Sequence, residues 1–428
     1  MSYDDKNISP IFRCDIIVDK SKLEYLKKMN ADGLITADHY SINEDYVTII
    51  LKQPEINLLE QRGFKIKIKE NMLKQIEQVK DEVIEAIPSV EDDGTSSGFV
   101  TRYLDAKEII DKFESFHNEF KDIVRIIDLP YKTSGYDGKK VSLRGPSTIK
   151  LFRINTDPDP DPDLEKPKPG MLLISGTHAR EWVPPLASIE FLGELLSSYS
   201  PGSTNPSVQQ INKIIEGLDI FIVPTMNYDG INYSRYDNPD WRKNRNVNLV
   251  NVSRDCIGVD NNRNYNIYWG EFGSSAEKCN DAFRGESPLS EPENKNVAYV
   301  LKEYPNIITA IDCHSHGEKI YRPQPTGGIY IPSQPVKQKD HETYLKLESS
   351  MNTAISSVSP GKFYETGTTN NHAGTSDDYF YFEHKIYGFN LECVKDTFWP
   401  SIEEAIKTTK EVSYALRTLA SETLLLGK

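Results

Sequence analysis

Met171-Leu-Leu-Ile-Ser-Gly-Thr-His-Ala-Arg-Glu-Trp182 decides how the rest of the chain is read. Its first five residues form a short apolar run ending at a glycine, as expected of a strand buried on both faces. Behind it, Pro185–Ser198 is apolar at helical spacing, and Leu218–Pro224 repeats the buried-strand pattern. Ile307–Asp312 and Tyr387–Leu391 repeat it further on. Buried strands alternating with helices predict an α/β sandwich, and such folds place their sites in the crevice at the strand ends. Chemistry is therefore sought just beyond each apolar run.

His178 and Glu181 follow the first run and are separated by two residues, so one turn can aim an imidazole and a carboxylate at a single cation. Nitrogen and oxygen donors at that spacing suit zinc, but the pair needs a third ligand. His314, in Ile311-Asp-Cys-His-Ser-His316, is the candidate. His316 stays open as a rival, because two residues along an extended segment return to the same side. Three protein ligands suffice for a catalytic zinc, whose fourth position is kept for water or substrate. Glu392 closes the apolar Tyr387–Leu391 run, where a buried carboxylate must be paired or functional. Arg180, Arg242 and Arg263 sit near turns.

The chain has 428 residues, with 50 Lys+Arg against 64 Asp+Glu and a net charge of −14. That balance, with no basic block, argues against a nucleic-acid partner and favours cationic substrates. The length suggests two or three units. No window approaches the roughly 18 apolar residues of a spanning helix, so no membrane partner is expected. Met1-Ser-Tyr-Asp-Asp-Lys-Asn7 lacks the apolar stretch of a secretory signal, which leaves the compartment open. The five cysteines, Cys14, Cys256, Cys279, Cys313 and Cys393, are too few and too scattered for a disulfide scaffold. Cys313 and Cys393 flank His314 and Glu392 on strands, and alternation turns them toward the core.

Residues 11–69 read as a small α+β unit. Strands are expected at Ile11–Val18, Tyr46–Leu51 and Phe64–Ile68, and helices at Lys20–Met29 and Glu55–Gln61. A charged helical stretch, Glu70–Ile87, leads to a small, acidic linker over 88–98 and a boundary near residue 98. Beyond it, Asp105–Phe116 has helical spacing and Ile149–Ile154 reads as a strand. Asp157-Pro-Asp-Pro-Asp-Pro-Asp163 is a stiff, solvated insertion.

The motifs His178-Ala-Arg-Glu181, Trp241-Arg-Lys-Asn-Arg245, Gly258-Val-Asp-Asn-Asn-Arg-Asn264, His314-Ser315, Gly374-Thr-Ser-Asp-Asp378 and Glu392 occur together. In order and approximate spacing they resemble the zinc metallocarboxypeptidases of the pancreatic carboxypeptidase A and B type, over about residues 100–410. That resemblance implies a mixed parallel and antiparallel eight-stranded sheet flanked by helices on both faces. It also implies one zinc ion per chain, bound by His178, Glu181 and His314, with Asp260 orienting a ligand histidine. Glu392 is the implied general base and acid, and Arg242 the group that stabilises the oxyanion. Asn262 and Arg263, with Arg180 and Ser315, are the implied binders of the substrate's terminal carboxylate. Asp377 stands where the family sets specificity, and an acid there resembles the B-type enzymes that remove C-terminal Lys or Arg.

Residues 11–69 are similar to the family's pro-segment, a small ferredoxin-like α+β domain. The resemblance divides the chain into a pro-domain over 1–87, a linker over 88–100 cut by an activating protease, and a catalytic domain over 101–428. It implies a monomeric, extracellular zymogen acting on peptide and protein C-termini. Cys256 and Cys279 fall where the family forms a bridge. The chain also departs from the pattern. Asn370 replaces a tyrosine of a mobile loop, with Tyr364 or His372 as substitutes; His316 replaces the tyrosine after the third ligand. The stretch Cys393-Val-Lys-Asp-Thr-Phe-Trp-Pro400 looks more like that of microbial relatives. The missing loop tyrosine motivates an alternative, a weak or inactive relative that binds C-terminal peptides. A related fold that deacylates amino-acid conjugates is disfavoured by Asn262 and Arg263 and by the pro-segment.

Overall fold

The computed structural model describes residues 10–31, 34–35, 40–42, 45–72, 99–157, 167–323, 335–368 and 372–427. The 88–98 linker, the 158–163 part of the insertion and Asn370 lie outside them. Two sheets are present. The first is made by β1 (Ile11–Ile17), β2 (Tyr40–Ile42), β3 (Tyr46–Lys52) and β4 (Lys65–Asn71), antiparallel throughout and ordered β2-β3-β1-β4. With α1 (Lys20–Ala31) and α2 (Gln53–Gln61) this is the expected ferredoxin-like unit. Val47, Ile49 and Leu51 alternate inward along β3 and pack with Cys14, Ile16 and Leu59. Glu70 and Asn71, expected to open a helix, instead complete β4, where they pair with Arg13 and Phe12 of β1.

The second sheet has eight strands: β5 (Val124–Asp128), β6 (Lys150–Ile154), β7 (Gly170–Ser175), β8 (Asp219–Val223), β9 (Ile307–Ser315), β10 (Lys319–Arg322), β11 (Glu365–Thr368) and β12 (Tyr387–Cys393). Their order is β11-β10-β12-β9-β7-β8-β6-β5. The central four run parallel, and antiparallel partners join them at both sides. α3 (Ala106–Glu119) starts at Asp105, whose carboxylate accepts the Glu108 N–H at 2.8 Å while Glu108 reaches back to the Asp105 N–H, a reciprocal cap. α4 (Val183–Ser198) is the expected apolar helix, and α5 (Pro206–Gly217), α6 (Tyr228–Tyr236), α7 (Pro292–Glu303), α8 (Gln338–Val358) and α9 (Ile402–Leu426) complete the unit.

The two cores explain where polar residues are admitted. Met171 and Leu173 of β7, Ile220 and Ile222 of β8, Ile311 and Cys313 of β9, and Leu391 and Cys393 of β12 share the core that includes α4 and α9. Leu172, Ile174, Phe221, Val223 and Ala310 face the opposite core, against α7. On that second face β9 and β12 turn polar toward their C-terminal ends, with Asp312, His314, Asn390 and Glu392. β9 and β12 run past the ends of the expected apolar segments, so His314 and Glu392 lie inside strands rather than beyond them. Register pairs them directly, as it pairs Asp312 with Asn390. Cys313 and Cys393 are buried core thiols, as alternation requires.

The loop carrying Arg242 is held by a buried amide. Asn244 Nδ2 donates to Glu291 at 2.7 Å and Glu293 at 3.0 Å, and its Oδ1 accepts the Val259 N–H at 2.8 Å. Gly258 beside it has φ +135°, and a Cβ there would sit 2.1 Å from Asn244 O, so no other residue fits. Burial, reinforced by Glu291, pushes Glu293 up to about 8 from an ordinary 4.5. The folded state thus holds a proton that the unfolded chain releases near pH 4.5. Stability from this group is complete below that pH and is lost as pH rises toward 8. Glu293→Gln keeps an acceptor for Asn244, and thermal melts of the variant should decline less than wild type between about pH 5 and 8, the remainder coming from raised carboxyls such as Asp229 and Glu348. An identical pH profile would show that Glu293 is not the titrating group.

Candidate metal centre and substrate pocket

A strand-following turn and a strand end converge on one point. His178 and Glu181 come from the turn after β7, His314 from the end of β9, and all three are buried. Their donor atoms lie within 4.8 Å of one another. His178 Nδ1 is 2.7 Å from Glu181 Oε1, His314 Nδ1 is 3.1 Å from Glu181 Oε2, and the two Nδ1 atoms are 3.1 Å apart. Each imidazole turns its other nitrogen to a buried carboxylate: His178 Nε2 to Asp260 at 3.2 Å, His314 Nε2 to Asp312 at 3.1 Å. Each ring thus has Nδ1 toward the cluster and Nε2 toward a buried acid. Two imidazole nitrogens and a carboxylate around one buried point form a donor set that fits zinc. His316 is not part of the cluster; its ring packs edge-on against Phe398, 4.7 Å away.

The charges follow the same logic. Burial alone would raise Glu181, but His178 and His314 outweigh it and hold the carboxyl well below the usual range. Burial would likewise depress His314, yet Asp312 and Glu181 raise it well above an ordinary imidazole. Asp260 is held low against burial by Arg242, Arg263 and His178. Its carboxylate accepts Arg242 Nε at 3.0 Å and the Asn262 N–H at 2.9 Å as well as facing His178. One acid therefore fixes a ligand, the Arg242 guanidinium and the turn bearing Asn262 and Arg263.

That turn is locked to the neighbouring one. Asn262 Oδ1 accepts the Ser376 N–H at 2.8 Å, and Arg263 donates to Gly273 O at 2.8 Å and Asn262 O at 2.7 Å. Gly374, at φ +74°, passes so close to Arg263 O that a Cβ would meet it at 2.5 Å. Asp377 follows in the turn Ser376–Asp378, fully buried, with its Oδ1 accepting Asn390 Nδ2 at 2.8 Å. Glu392, 7% exposed, stands beside His314 across the β9–β12 pairing. The Ser315 N–H donates to Glu181 Oε2 at 3.2 Å, so its backbone steadies a ligand.

One expectation needs correction. Tyr364 cannot replace the absent loop phenol: it is buried in the core, its hydroxyl donates to Glu411 at 3.2 Å, and burial holds it well above an ordinary phenol. Arg180 lies at the junction with the small unit. Its Nη1 contacts Asp240 Oδ1 at 3.0 Å and Asp281 Oδ2 at 3.5 Å, and its guanidinium lies over Phe398. Lys52 of the small unit reaches the same acids, 2.5 Å from Asp281 and 3.6 Å from Asp240. A cavity lined by Ile11, Lys52, Arg180, Asp281, His316 and Phe398 marks this junction of the two units. Cys256 and Cys279 are bridged. Sequence reading missed Asp312, Asp240, Asp281 and Lys52. Only Asp312 left a signal there, as an acid two residues before a ligand on one strand face.

Comparisons with known proteins agree with this geometry. A family profile described as zinc carboxypeptidase matches residues 112–415. Carboxypeptidase B2 of Rattus norvegicus is 34% identical over 228 residues, 52% of this chain and 50% of that protein. Carboxypeptidase A1 of Mus musculus is 28% identical over 264 residues, 60% and 59% of the two chains. The chain thus spans about half the length of the curated relatives it matches. Among solved structures, thrombin activatable fibrinolysis inhibitor superposes with a TM-score of 0.73 at 21% identity, covering 97% of this chain and 99% of that one. Carboxypeptidase A from Helicoverpa armigera gives 0.72 at 22%, covering 97% and 98%, so the fold, small unit included, is shared. With motifs, sheet order and profile in agreement, the chain belongs to the zinc carboxypeptidase family.

Proposed function

We propose that this chain is a zinc metallocarboxypeptidase that removes C-terminal residues, with a preference for Lys and Arg, and that it is made as a zymogen. The observation that carries the reading is the buried His178–Glu181–His314 cluster with Glu392 on the adjacent strand. Zinc, when bound, supplies a Lewis acid that polarises the scissile carbonyl and acidifies water. Glu392 accepts the proton of the attacking water and returns it to the leaving amine. Arg242, aimed by Asp260, offers its guanidinium where negative charge develops on the carbonyl oxygen, so its contribution is largest in the transition state. Asn262 and Arg263 hold the terminal carboxylate, which confines cleavage to the last peptide bond. Asp377 gives the side-chain pocket an anionic floor that favours a cation.

The unit over residues 10–72 is read as the pro-domain, covering the site from the side of Arg180 and His316 and anchored by Lys52. Burial would lower Lys52, but Asp281 and Asp240 outweigh it and keep the ammonium charged. Proteolysis within 88–100 would release it. The Cys256–Cys279 bridge suits an oxidising, extracellular compartment, and peptide C-termini are the partners. Among the described residues no helix is long and apolar enough to cross a membrane. The alternative, a weak or inactive binder of C-terminal peptides, draws on Asn370 and on the engagement of Tyr364 with Glu411.

Blocked dipeptides ending in Arg or Phe, offered to protein nicked in the 88–100 linker, test the reading. Release of Arg should exceed release of Phe, stop with a zinc chelator, and fall by about 10²–10⁴ in Glu392→Gln. The nicked protein should hold one zinc per chain, and His178→Ala should hold none. Stoichiometric zinc without hydrolysis of either dipeptide would favour the binding protein. In the uncut chain, Lys52→Glu should raise residual hydrolysis at least about tenfold, since opposing a buried acidic pair with a third acid costs several kcal/mol. After nicking, variant and wild type should be equal. Equal rates before nicking would show that Lys52 does not anchor the small unit.

A further inference from the structure

Asp312 has no part in the mechanism above, yet it is fully buried and touches His314 and the residue before His178. Its Oδ2 faces His314 Nε2 at 3.1 Å. Its Oδ1 accepts Thr177 Oγ1 at 2.7 Å, and Thr177 immediately precedes the ligand His178. Ser376 Oγ lies 2.9 Å from Asp312 Oδ2 and 2.7 Å from Asn390 Oδ1, and the Asn390 amide continues to Asp377. Asp312 and Asn390 are register partners, so this polar chain runs across one strand pair from a metal ligand to the pocket floor.

A buried carboxylate costs several kcal/mol unless something nearby uses its charge. The hydroxyls of Thr177 and Ser376 need only an acceptor, which a neutral amide would also provide. His314 is the contact that can use the charge, because an anion at Nε2 fixes the ring proton there and leaves Nδ1 as a lone pair toward the cluster. Asp260 does the same for His178. We propose that Asp312 is a positioning residue of the metal centre: it sets the tautomer and ring orientation of His314. This rests on the reading of the cluster as a zinc site.

Asp312→Asn keeps the size and an acceptor for Thr177 but presents an uncharged group to His314. Its zinc dissociation constant, from competition with a chromophoric chelator, should rise about 10–100-fold. The visible absorption bands of the Co2+-substituted variant should shift, a change that loss of stability alone does not produce. Ser376→Ala leaves the carboxylate in place, and its zinc affinity should stay close to wild type. Should Asp312→Asn not fold, ¹H–¹⁵N spectra of the zinc-loaded wild type decide, with a protected Nε2 proton expected on His314 as on His178. An unchanged affinity and cobalt spectrum in folded Asp312→Asn, or a His314 ring protonated at Nδ1, would overturn the proposal and leave the zinc reading intact. Wild type that takes up no zinc would overturn both.

Discussion

Two imidazole nitrogens and a carboxylate meet at one buried point, and the large unit is arranged around making that tolerable. Desolvating this much negative character costs several kcal/mol unless a cation sits at its centre. The parallel strands β7 and β9 bring His178, Glu181 and His314 within 4.8 Å of each other because both end at the same edge of the sheet. Asp260 and Asp312 stand against the outer nitrogen of each ring. Rotation of one ring would replace a lone pair with an N–H and remove the reason for a metal to bind.

Charge balance extends the same constraint outward. Asp260 is shared among His178, Arg242 and Asn262, so one acid places both the Arg242 guanidinium and the His178 ring. Changing that acid would move both at once. Arg242 and Asp260 in turn depend on the Asn244 loop, fixed by Glu291, Glu293 and Val259 well outside the cluster. Glu392 needs no such relay, because a strand register delivers it beside His314.

Much of this was legible in the sequence, and the limits are physical. β7 and β8 are buried on both faces and therefore read as unbroken apolar runs. The ends of β9 and β12 were cut short because Asp312, His314, Asn390 and Glu392 interrupt the run on one face while Cys313, Leu391 and Cys393 keep it on the other. A site at a strand end destroys the signal that locates the strand. β10 and β11 are four residues each, only partly buried, and too short to show a period. The choice of His314 over His316 and the Cys256–Cys279 pairing came through the family resemblance, since spacing alone leaves both open. Tyr364 was misjudged because nothing local betrays its hydrogen bond to Glu411, 47 residues away.

The junction with the small unit was illegible for the same reason, and its chemistry repeats that of the pocket. Lys52, Arg180, Asp240 and Asp281 pair two cations with two acids, all supplied from distant parts of the chain. Burial raises Asp240, whereas Lys52 and Arg180 hold Asp281 low against burial. Under the proposed function, removing the unit that carries Lys52 would take one cation from Asp240 and Asp281 and make the exposed rim more negative. A chain of net charge −14 already draws cations, and a rim unmasked in this way focuses that attraction on the cleft. Under the proposed function, the charge that holds the small unit in place is the charge that then steers a basic C-terminus toward Asp377.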